Sequence, residues 1–344
     1  MMKNKAKLRM VGLIGIFFFA ISGLLTKSTA LAKPVKLTYG STGMGSPPYI
    51  FSAAVAEAIK NGLPTGSSVM ISSGEGFQNL ARLESGDVEI AHQTTLTLFA
   101  GITGRKPFTS IVKNARLLSG ITPPDLNEYH FVITKDCPIN SFSEFPNRKY
   151  PLKLTTRTTG GVAEIMTDNV FRAYGFSYED IKKWGGSVTF TAYSTCFELL
   201  KDGRVEAYSG NHTYPSALMT DMLRDRGPKF KWFSIDDEKV LAKLEEAGMF
   251  KVNLPRGHYG PAFDKEIVSI CGPEVLAVNA NVPADIVYTM VKAICENAEL
   301  IRSSHASVST FTSENAYKWL VRFKKYVPLH PGAEKYFREK GYLK

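Results

Sequence analysis

Three segments of the sequence repeat one local pattern, in which a short apolar strand leads into a loop of glycine and hydroxyl residues and then into a helix. They are residues 37–59 (LTYGSTGMGSPPYIFSAAVAEAI), 68–86 (SVMISSGEGFQNLARLESG) and 152–175 (LKLTTRTTGGVAEIMTDNVFRAYG). The residues before each loop are typical of strands, and the apolar residues after it recur at helical spacing. A chain that alternates strands and helices in this order builds parallel sheets, so the pattern predicts an α/β fold.

The glycine-rich loops lie at the carboxyl ends of the predicted strands. Two further predicted strands also end in polar residues: DVEIAHQTT delivers Gln93 and Thr94, and VEAYSGNHT delivers Asn211 and His212. In open α/β sheets ligands bind at this edge, so we expect the loops to converge on one cleft. A connecting turn without a ligand is the alternative for any single loop, and the recurrence favours a site.

The first loop does not match the dinucleotide-binding fingerprint. A G-x-G-x-x-G motif starting at Gly43 and Gly45 would need a glycine where Pro48 stands. The next strand runs into Ser73 and Gly74 and lacks the acidic residue that binds a ribose. The chain also lacks a P-loop, a G-x-S-x-G elbow and an H-E-x-x-H motif. We therefore expect no cofactor, no metal and no catalytic residue.

The spacing of the four cysteines fits no zinc or C-x-x-C redox site, so these residues are predicted to be either packing residues or disulfides. They are Cys137, Cys196, Cys271 and Cys295. An exported enzyme on the same scaffold stays an alternative, for which Cys196 or His212 would have to supply the nucleophile or the base.

The N-terminus has the composition of a secretory signal. Four basic residues within positions 3–9 precede an acid-free apolar stretch, residues 10–25, and an Ala-Leu-Ala site ends at Ala32. An uncleaved anchor is disfavoured because the stretch is shorter than the ~20 residues of a spanning helix. We expect cleavage after Ala32 and release into an oxidising compartment such as a periplasm.

The charge of the remaining chain argues against a nucleic-acid partner. The first 32 residues hold five Lys or Arg and no Asp or Glu, so without them the net charge falls from +10 to +5. The surviving basic residues cluster in KWLVRFKKY and EKYFREKGYLK. Their spacing with interspersed aromatics predicts solvated helix faces above a core rather than a polyanion site.

The order of the predicted elements indicates two lobes joined by a hinge that the chain crosses twice. We predict one lobe from residues 33–128 and 271–344 and a second lobe from residues 129–270. The segment VSICGPEVLAVNANVPADIVYTMVKAI is predicted to be one returning strand followed by a helix, and residues 236–248 an amphipathic helix. The predicted architecture is a two-lobed periplasmic-binding-protein fold, type II-like, with the ligand cleft between the lobes.

The sequence resembles the TAXI class of TRAP-transporter solute receptors. The resemblance rests on YGSTGMGSPPYIFSAAVAEAI, SSGEGFQNLARLESGDVEIAHQ, LLKDGRVEAYSGNHTYPSA and, most specifically, the C-terminal PLHPGAEKYFREKG. It implies a periplasmic receptor that captures an organic anion or an amino acid and delivers it to the permease subunits of an ion-coupled transporter. We expect a monomer. A module that senses the solute for a signalling receptor is the alternative.

Carried over by position, the resemblance implies seven contacts in the first lobe: Ser41, Thr42, Gly45, Tyr49, Gly74, Asn79 and Gln93. The sequence departs from the family pattern at Pro47, Pro48 and Gly76 and in the loop at residues 159–163, where hydroxyl donors are missing.

The second-lobe candidates come from the strand ends: Arg157, Thr158, Thr159, Gly160, Asn211 and His212. The planar guanidinium of Arg157 fits a carboxylate, although a structural salt bridge is the alternative for this residue. Asn211 and His212 are predicted either to contact the ligand or to fix the hinge. Glu75 would repel a carboxylate and favour an ammonium group if it faces the cleft, and exposure at the rim is its alternative.

The signal segment gives the first testable prediction. Because the Ala-x-Ala site ends at Ala32, mature protein recovered from the periplasm should begin at Lys33. N-terminal sequencing and intact-mass measurement would check this, and an intact N-terminus with tight membrane association would contradict it.

Overall fold

The computed structural model describes residues 33–226 and 229–343, in which twelve β-strands and thirteen α-helices form. The predicted signal segment and its cleavage site after Ala32 lie outside these described residues. Within them, no helix combines the length and the apolar character needed to cross a bilayer.

The strands are β1 Lys36–Ser41, β2 Ser68–Ser73, β3 Ile90–Thr94, β4 Ala115–Gly120, β5 Asn127–Thr134, β6 Lys153–Arg157, β7 Ser187–Thr191, β8 Ala207–Thr213, β9 Phe230–Trp232, β10 Phe250–Leu254, β11 Ile267–Cys271 and β12 Glu274–Asn279. The helices are α1 Pro47–Gly62, α2 Gly76–Ser85, α3 Thr95–Thr103, α4 Glu144–Arg148, α5 Val162–Ala173, α6 Tyr178–Lys183, α7 Tyr193–Lys201, α8 Ala217–Arg226, α9 Glu238–Glu246, α10 Ala284–Glu296, α11 Ala298–Ser304, α12 Ser313–Lys318 and α13 Pro331–Glu339.

The strands form two sheets. Sheet A has the order β2-β1-β3-β12-β4, and β1 is parallel to both of its neighbours. Sheet B has the order β10-β11-β5-β8-β6-β7, with β9 paired to β5. In sheet B, β6 is parallel to β7 and β8, whereas β5 runs antiparallel to β8. The three repeated segments of the sequence are β1-α1, β2-α2 and β6-α5, which confirms the predicted α/β class.

Local signals placed the helix boundaries well. Pro47 and Pro48 open α1, where the fixed backbone angle of proline suits a first turn. Gly86 ends α2 with a φ of 85°, a left-handed conformation that glycine adopts without a Cβ clash. Asp237 caps α9 by accepting hydrogen bonds from two backbone amides of its first turn.

The chain passes between the sheets twice, through residues 121–126 and through Gly272 and Pro273. The second passage corrects the prediction of a single returning strand, because β11 belongs to sheet B and β12 to sheet A. Gly272 N donates to Asn127 O, and Pro273 O accepts from Thr95 N, so the two residues bond to different elements. The lobe boundaries at 128/129 and 270/271 stay a prediction.

The core of sheet B is an aromatic cluster around Phe131 on β5. The ring centroid of Phe131 lies 4.9 Å from Phe142, 5.8 Å from Phe145, 6.1 Å from Phe171 and 5.1 Å from Phe233. Alternation along β5 turns Phe131 toward this cluster. The cluster therefore anchors the central strand of the sheet.

The C-terminal basic segment is only partly helical. The helix predicted for KWLVRFKKY is wrong, because α12 ends at Lys318 and residues 319–326 form turns. Backbone hydrogen bonds there alternate between three- and four-residue spacing, as in Phe323 N to Leu320 O and Lys324 N to Leu320 O. The burial pattern still matches, since Leu320 and Phe323 are buried and the basic residues are exposed.

All four cysteines are free and buried, so the structure assigns them to packing. The Cys271 thiol donates to Phe250 O at 3.2 Å, and that of Cys196 to Thr156 O at 3.4 Å. Burial raises the pKa of Cys271 to about 12 and that of Cys295 to about 11. These thiols are therefore protonated and unreactive at neutral pH.

Removing the ring at the centre of the aromatic cluster tests this account of the core. Phe131→Ala should lower the free energy of unfolding by about 3 to 5 kcal/mol, because it leaves a cavity among rings that cannot all collapse inward. Urea denaturation measures the change. Met70→Ala is the control, since Met70 is 65% exposed and its truncation should cost less than about 0.5 kcal/mol. Equal effects of the two substitutions would contradict the assignment.

Candidate functional site

The loops at the carboxyl ends of the strands of sheet A face those of sheet B. Oε1 of Glu75, after β2, lies 3.8 Å from a terminal guanidinium nitrogen of Arg157, at the end of β6. A Cβ added to Gly76 would lie 3.4 Å from Val162 Cγ2, at the start of α5. We call the region between the loops after β1, β2 and β3 and the loops after β6, β7 and β8 the cleft.

The loop after β1 is held by its own hydroxyl groups. Ser41 is buried and donates to Ser52 Oγ at 2.8 Å, and the hydroxyls of Thr42 and Ser46 lie 2.6 Å apart. Gly45 has a φ of 81°, which favours glycine at this turn. The loop therefore has a defined conformation before any ligand binds.

The start of α1 offers fewer donors to an anion than the glycine-rich loop suggests. Pro47 and Pro48 have no N–H, and the amide of Tyr49 donates to Ser46 Oγ. The side chain of Tyr49 is half-buried. This helix N-terminus therefore offers hydroxyl groups rather than free amides to an anion.

Three of the predicted first-lobe contacts position loops within the protein. Asn79 is buried and donates to Ser41 O at 2.7 Å. A Cβ added to Gly74 would lie 2.6 Å from Asn79 Oδ1, so this position requires glycine. Gln93 is buried and donates to Gly76 O at 3.1 Å. Their contact with a ligand stays a prediction.

Arg157 is the cation of the cleft. Its side chain is 37% exposed, and its guanidinium carbon lies 5.5 Å from the centroid of the Tyr193 ring. Thr158 and Thr159, which follow it, are exposed. Gly160, with a φ of 81°, turns the chain toward α5. The end of β6 therefore presents a cation and two hydroxyl groups at the cleft.

The helix N-terminus beside Arg157 already holds an internal anion. Glu164, in the first turn of α5, accepts a hydrogen bond from Gly160 N at 3.0 Å and is buried. Desolvation raises the pKa of Glu164, and the bond to Gly160 partly offsets the rise. A ligand anion would compete with this carboxylate for the loop amide.

A buried carboxylate joins the two sheets at the crossing. Glu274, the first residue of β12, is 3% exposed and accepts from Thr213 Oγ1 at 2.9 Å and from Thr122 Oγ1 at 3.3 Å. Asn127 Nδ2 donates to it at 3.4 Å, and His92 Nε2 lies 3.6 Å away. The sequence analysis missed this residue, although a glutamate that opens the apolar run EVLAV was a signal for it.

Asn211 and His212 bond to different neighbours. Asn211 Nδ2 donates to Asn127 Oδ1, while its own Oδ1 is buried without a partner. His212 Nδ1 bonds the hydroxyl of Tyr193, which also bonds Ser216 Oγ at 2.7 Å. His212 therefore positions Tyr193, the ring beneath Arg157. Contact of either residue with a ligand stays a prediction.

A second buried carboxylate lies behind His212. Glu128 Oε1 is 2.6 Å from His258 Nε2, and its Oε2 is 3.2 Å from His130 Nε2. Burial alone would raise the pKa of Glu128, but the hydrogen bonds and charges of the two histidines lower it below its ordinary value. Burial lowers the pKa of His212 well below its ordinary value, and nearby His130 and Arg157 lower it further. His212 is therefore neutral at pH 7.

The two candidate catalytic residues, Cys196 and His212, do not form a nucleophile–base pair. Burial raises the pKa of Cys196, and its thiol donates to Thr156 O. No hydrogen bond among the described residues joins Cys196 to His212. In the same part of the chain, no group of His, Cys, Asp and Glu side chains is arranged to hold a metal ion.

The neutral state of His212 predicts a pH dependence of stability. As the pH falls below the ordinary histidine pKa of about 6.5, the unfolded chain takes up a proton that folded His212 resists. The free energy of unfolding is therefore highest above this pH and declines below it by up to about 1.4 kcal/mol per pH unit and group. His305 and His330, whose pKa values burial also lowers, add to the decline.

His212→Gln should reduce the proton uptake on unfolding by nearly one between pH 6.5 and 5. The free energy of unfolding, measured by urea denaturation across this range, should therefore fall less steeply with pH than in the wild type. Asn211→Ser, on the same strand, removes no titratable group and should leave the slope unchanged. Equal slopes for wild type and His212→Gln would show that His212 is not held neutral.

Several solved structures are similar to this chain. PhnD1 from Prochlorococcus marinus (MIT 9301), solved in complex with methylphosphonate, is 10% identical over 85% of this chain and 100% of that chain, with a TM-score of 0.51. Periplasmic binding protein BugD is 13% identical over 90% and 98%, with a TM-score of 0.48. The alkanesulfonate-binding protein SsuA from Xanthomonas axonopodis pv. citri, bound to MOPS, is 12% identical over 84% of each chain, with a TM-score of 0.46.

The likeness to PhnD1 shows the fold alone, which is the two-lobed fold of periplasmic binding proteins. The model of the NMT1-like family matches residues 39–341, which include all thirteen helices and every strand except the first three residues of β1. The chain therefore belongs to the NMT1-like family of periplasmic solute-binding proteins.

Proposed function

We propose that this protein is the solute receptor of a TRAP transporter of the TAXI type, which captures a small carboxylate-bearing solute and delivers it to an ion-coupled permease. The observation that carries the proposal is Arg157, a half-exposed cation at the carboxyl end of β6 that faces the loops of sheet A. The TAXI assignment rests on the sequence motifs, and the carboxylate on the chemistry of the cleft.

The guanidinium of Arg157 is available to a ligand. Among the described residues its guanidinium makes no hydrogen bond, and its ion pair with Glu75 is 3.8 Å long between two partly exposed side chains. The Tyr193 ring beneath it limits its motion and is itself bonded to His212 and Ser216. A planar donor fork held in this way suits two-point binding of a carboxylate.

The other predicted contacts surround this cation with neutral donors. The proposed set from sheet A is Ser41, Thr42, Gly45, Tyr49, Gly74, Asn79 and Gln93, and that from sheet B is Thr158, Thr159, Gly160, Asn211 and His212. Thr42, Thr158 and Thr159 have hydroxyl groups that are at least partly accessible, whereas Ser41, Asn79 and Gln93 act through the loops that they hold. We propose that the accessible hydroxyls bind the solute directly.

Closure of the two lobes would couple binding to delivery. We propose lobes of residues 33–128 with 271–344 and of residues 129–270, which rotate about the passages at residues 121–126 and 272–273. Closure excludes water from the Arg157 site and brings surfaces of both lobes into one face that a permease can bind. The protein acts as a monomer in this scheme and is released from the membrane by cleavage after Ala32.

The C-terminal motif behind the TAXI assignment has a packing role. In PLHPGAEKYFREKG, His330 Nδ1 accepts from Gly332 N and thereby caps α13. A Cβ on Gly332 would lie 2.2 Å from Ala284 O, so only glycine lets α13 cross α10 this closely. The motif therefore supports a shared fold around sheet A and gives no information on the solute. A neighbouring gene for a multi-spanning permease would test the transport role.

Substitution of Arg157 tests the proposed carboxylate contact. The ligand retained after native purification is first identified by mass spectrometry and then titrated by calorimetry. Arg157→Ala should weaken binding by about 2 to 5 kcal/mol, since it leaves a carboxylate unpaired in a closed cleft. Arg157→Lys should recover only part of the loss, because an ammonium group lacks the planar fork.

The control is Arg204→Ala, because Arg204 is an exposed arginine outside the cleft loops. Without ligand, Arg157→Ala should change the free energy of unfolding by less than about 1 kcal/mol, as expected for an exposed ion pair. Wild-type affinity together with a lower ligand-free melting temperature would show that Arg157 is structural. Chemical turnover of the retained compound would favour an enzyme instead.

A further inference from the structure

The strand ends and loops that face the cleft have no net charge. The strands β1, β2, β3, β6, β7 and β8 end in Ser41, Ser73, Thr94, Arg157, Thr191 and Thr213. Together with the loops that follow them, these residues include only two charged side chains, Glu75 and Arg157. A solute with two or more negative charges would meet one cation and one anion there, so the lining does not select for a simple polyanion.

Some of the backbone groups that could bind extra negative charge are already occupied. Pro47 and Pro48 remove two amides from the start of α1, and Ser46 binds the next one. Glu164 occupies the amide of Gly160 at the start of α5. Arg157 is the one cationic side chain among these strand ends and loops, so a ligand carboxylate has a single charged partner there.

Glu75 stands opposite that partner. It occupies the position before α2 and makes no capping hydrogen bond with its side chain, which is 47% exposed. Its Oε1 is 3.8 Å from Arg157, a separation that gives an ion pair without a hydrogen bond. An exposed pair of this kind contributes little to stability, so a ligand can separate the two side chains at small cost.

A solute with both charges replaces this pair without leaving either side chain unpaired. Its carboxylate would bind Arg157, and a cationic nitrogen next to it would bind Glu75. A solute with a carboxylate alone would place two carboxylates beside one guanidinium, and their repulsion would grow as the cleft closes and water leaves. We propose that the solute is a zwitterion and that Glu75 selects its cationic nitrogen, an inference that rests on the proposed function.

Matched probe pairs test this proposal, because their members differ by one ammonium group. They are L-glutamate and glutarate, L-leucine and 4-methylpentanoate, and L-phenylalanine and 3-phenylpropanoate. In parallel, full-length mature protein is unfolded, freed of ligand, refolded and exposed to a cell extract, and the retained compound is identified by mass spectrometry. The best-binding compound and its analogue without the cationic nitrogen are then titrated by calorimetry.

Wild-type protein should bind the zwitterion at least about tenfold more tightly than its analogue. Glu75→Gln should weaken binding of the zwitterion by about 10- to 100-fold and strengthen binding of the analogue. The control Glu314→Gln, in the first turn of α12 and outside the cleft loops, should change neither affinity. Glutamine keeps the size of the side chain, and the measured melting temperature of each variant confirms folding.

Three results would overturn the inference while leaving the solute-binding proposal intact. They are a retained compound without a cationic nitrogen, a Glu75→Gln variant that binds the zwitterion as tightly as wild type, and tighter binding of the analogue by wild-type protein. Retention of no compound from extract, with no binding of any probe, would instead contradict the proposed function itself.

Discussion

The buried carboxylate of Glu274 is the constraint on which the arrangement of the two sheets depends. A carboxylate that is 3% exposed is tolerated only when hydrogen-bond donors surround it. Its donors come from the first passage (Thr122) and from sheet B (Asn127 and Thr213), while His92 Nε2 of sheet A lies 3.6 Å away. Because Glu274 opens β12, the same contacts fix where the second passage enters sheet A.

The cation of the cleft is supported from behind by a series of polar contacts. Arg157 lies over Tyr193, Tyr193 bonds His212, the ring of His212 lies 5.5 Å from that of His130, and His130 contacts Glu128. His258 completes the series on the far side of Glu128. Within this series, Tyr193 and Glu128 are held by hydrogen bonds to their neighbours. The position of the guanidinium therefore depends on the residues behind it.

Structural features that depend on residues close together in the chain could be predicted from the sequence. The strand-loop-helix segments are local patterns, and the structure confirms them. The split between β11 and β12 and the turns at residues 319–326 were missed, because apolar spacing alone does not separate one strand from two or a helix from successive turns. The contacts of Glu274 join positions 92, 122, 127 and 213, and no local pattern encodes such a set. For Glu75 the sequence left two positions open, one facing the cleft and one exposed at its rim. Its position near Arg157 depends on how the two sheets face each other.

The burial of four free thiols has a consequence for how the protein matures. Each thiol is buried, and at Cys271 and Cys295 the raised pKa suppresses the thiolate that oxidants attack. Folding after export then needs neither a disulfide oxidoreductase nor an isomerase to choose among cysteine pairings. Reducing agents should leave the native state intact, and misoxidation is a hazard only while the chain is unfolded. The redox potential of the compartment therefore affects the rate at which native protein accumulates, but not its stability once folded.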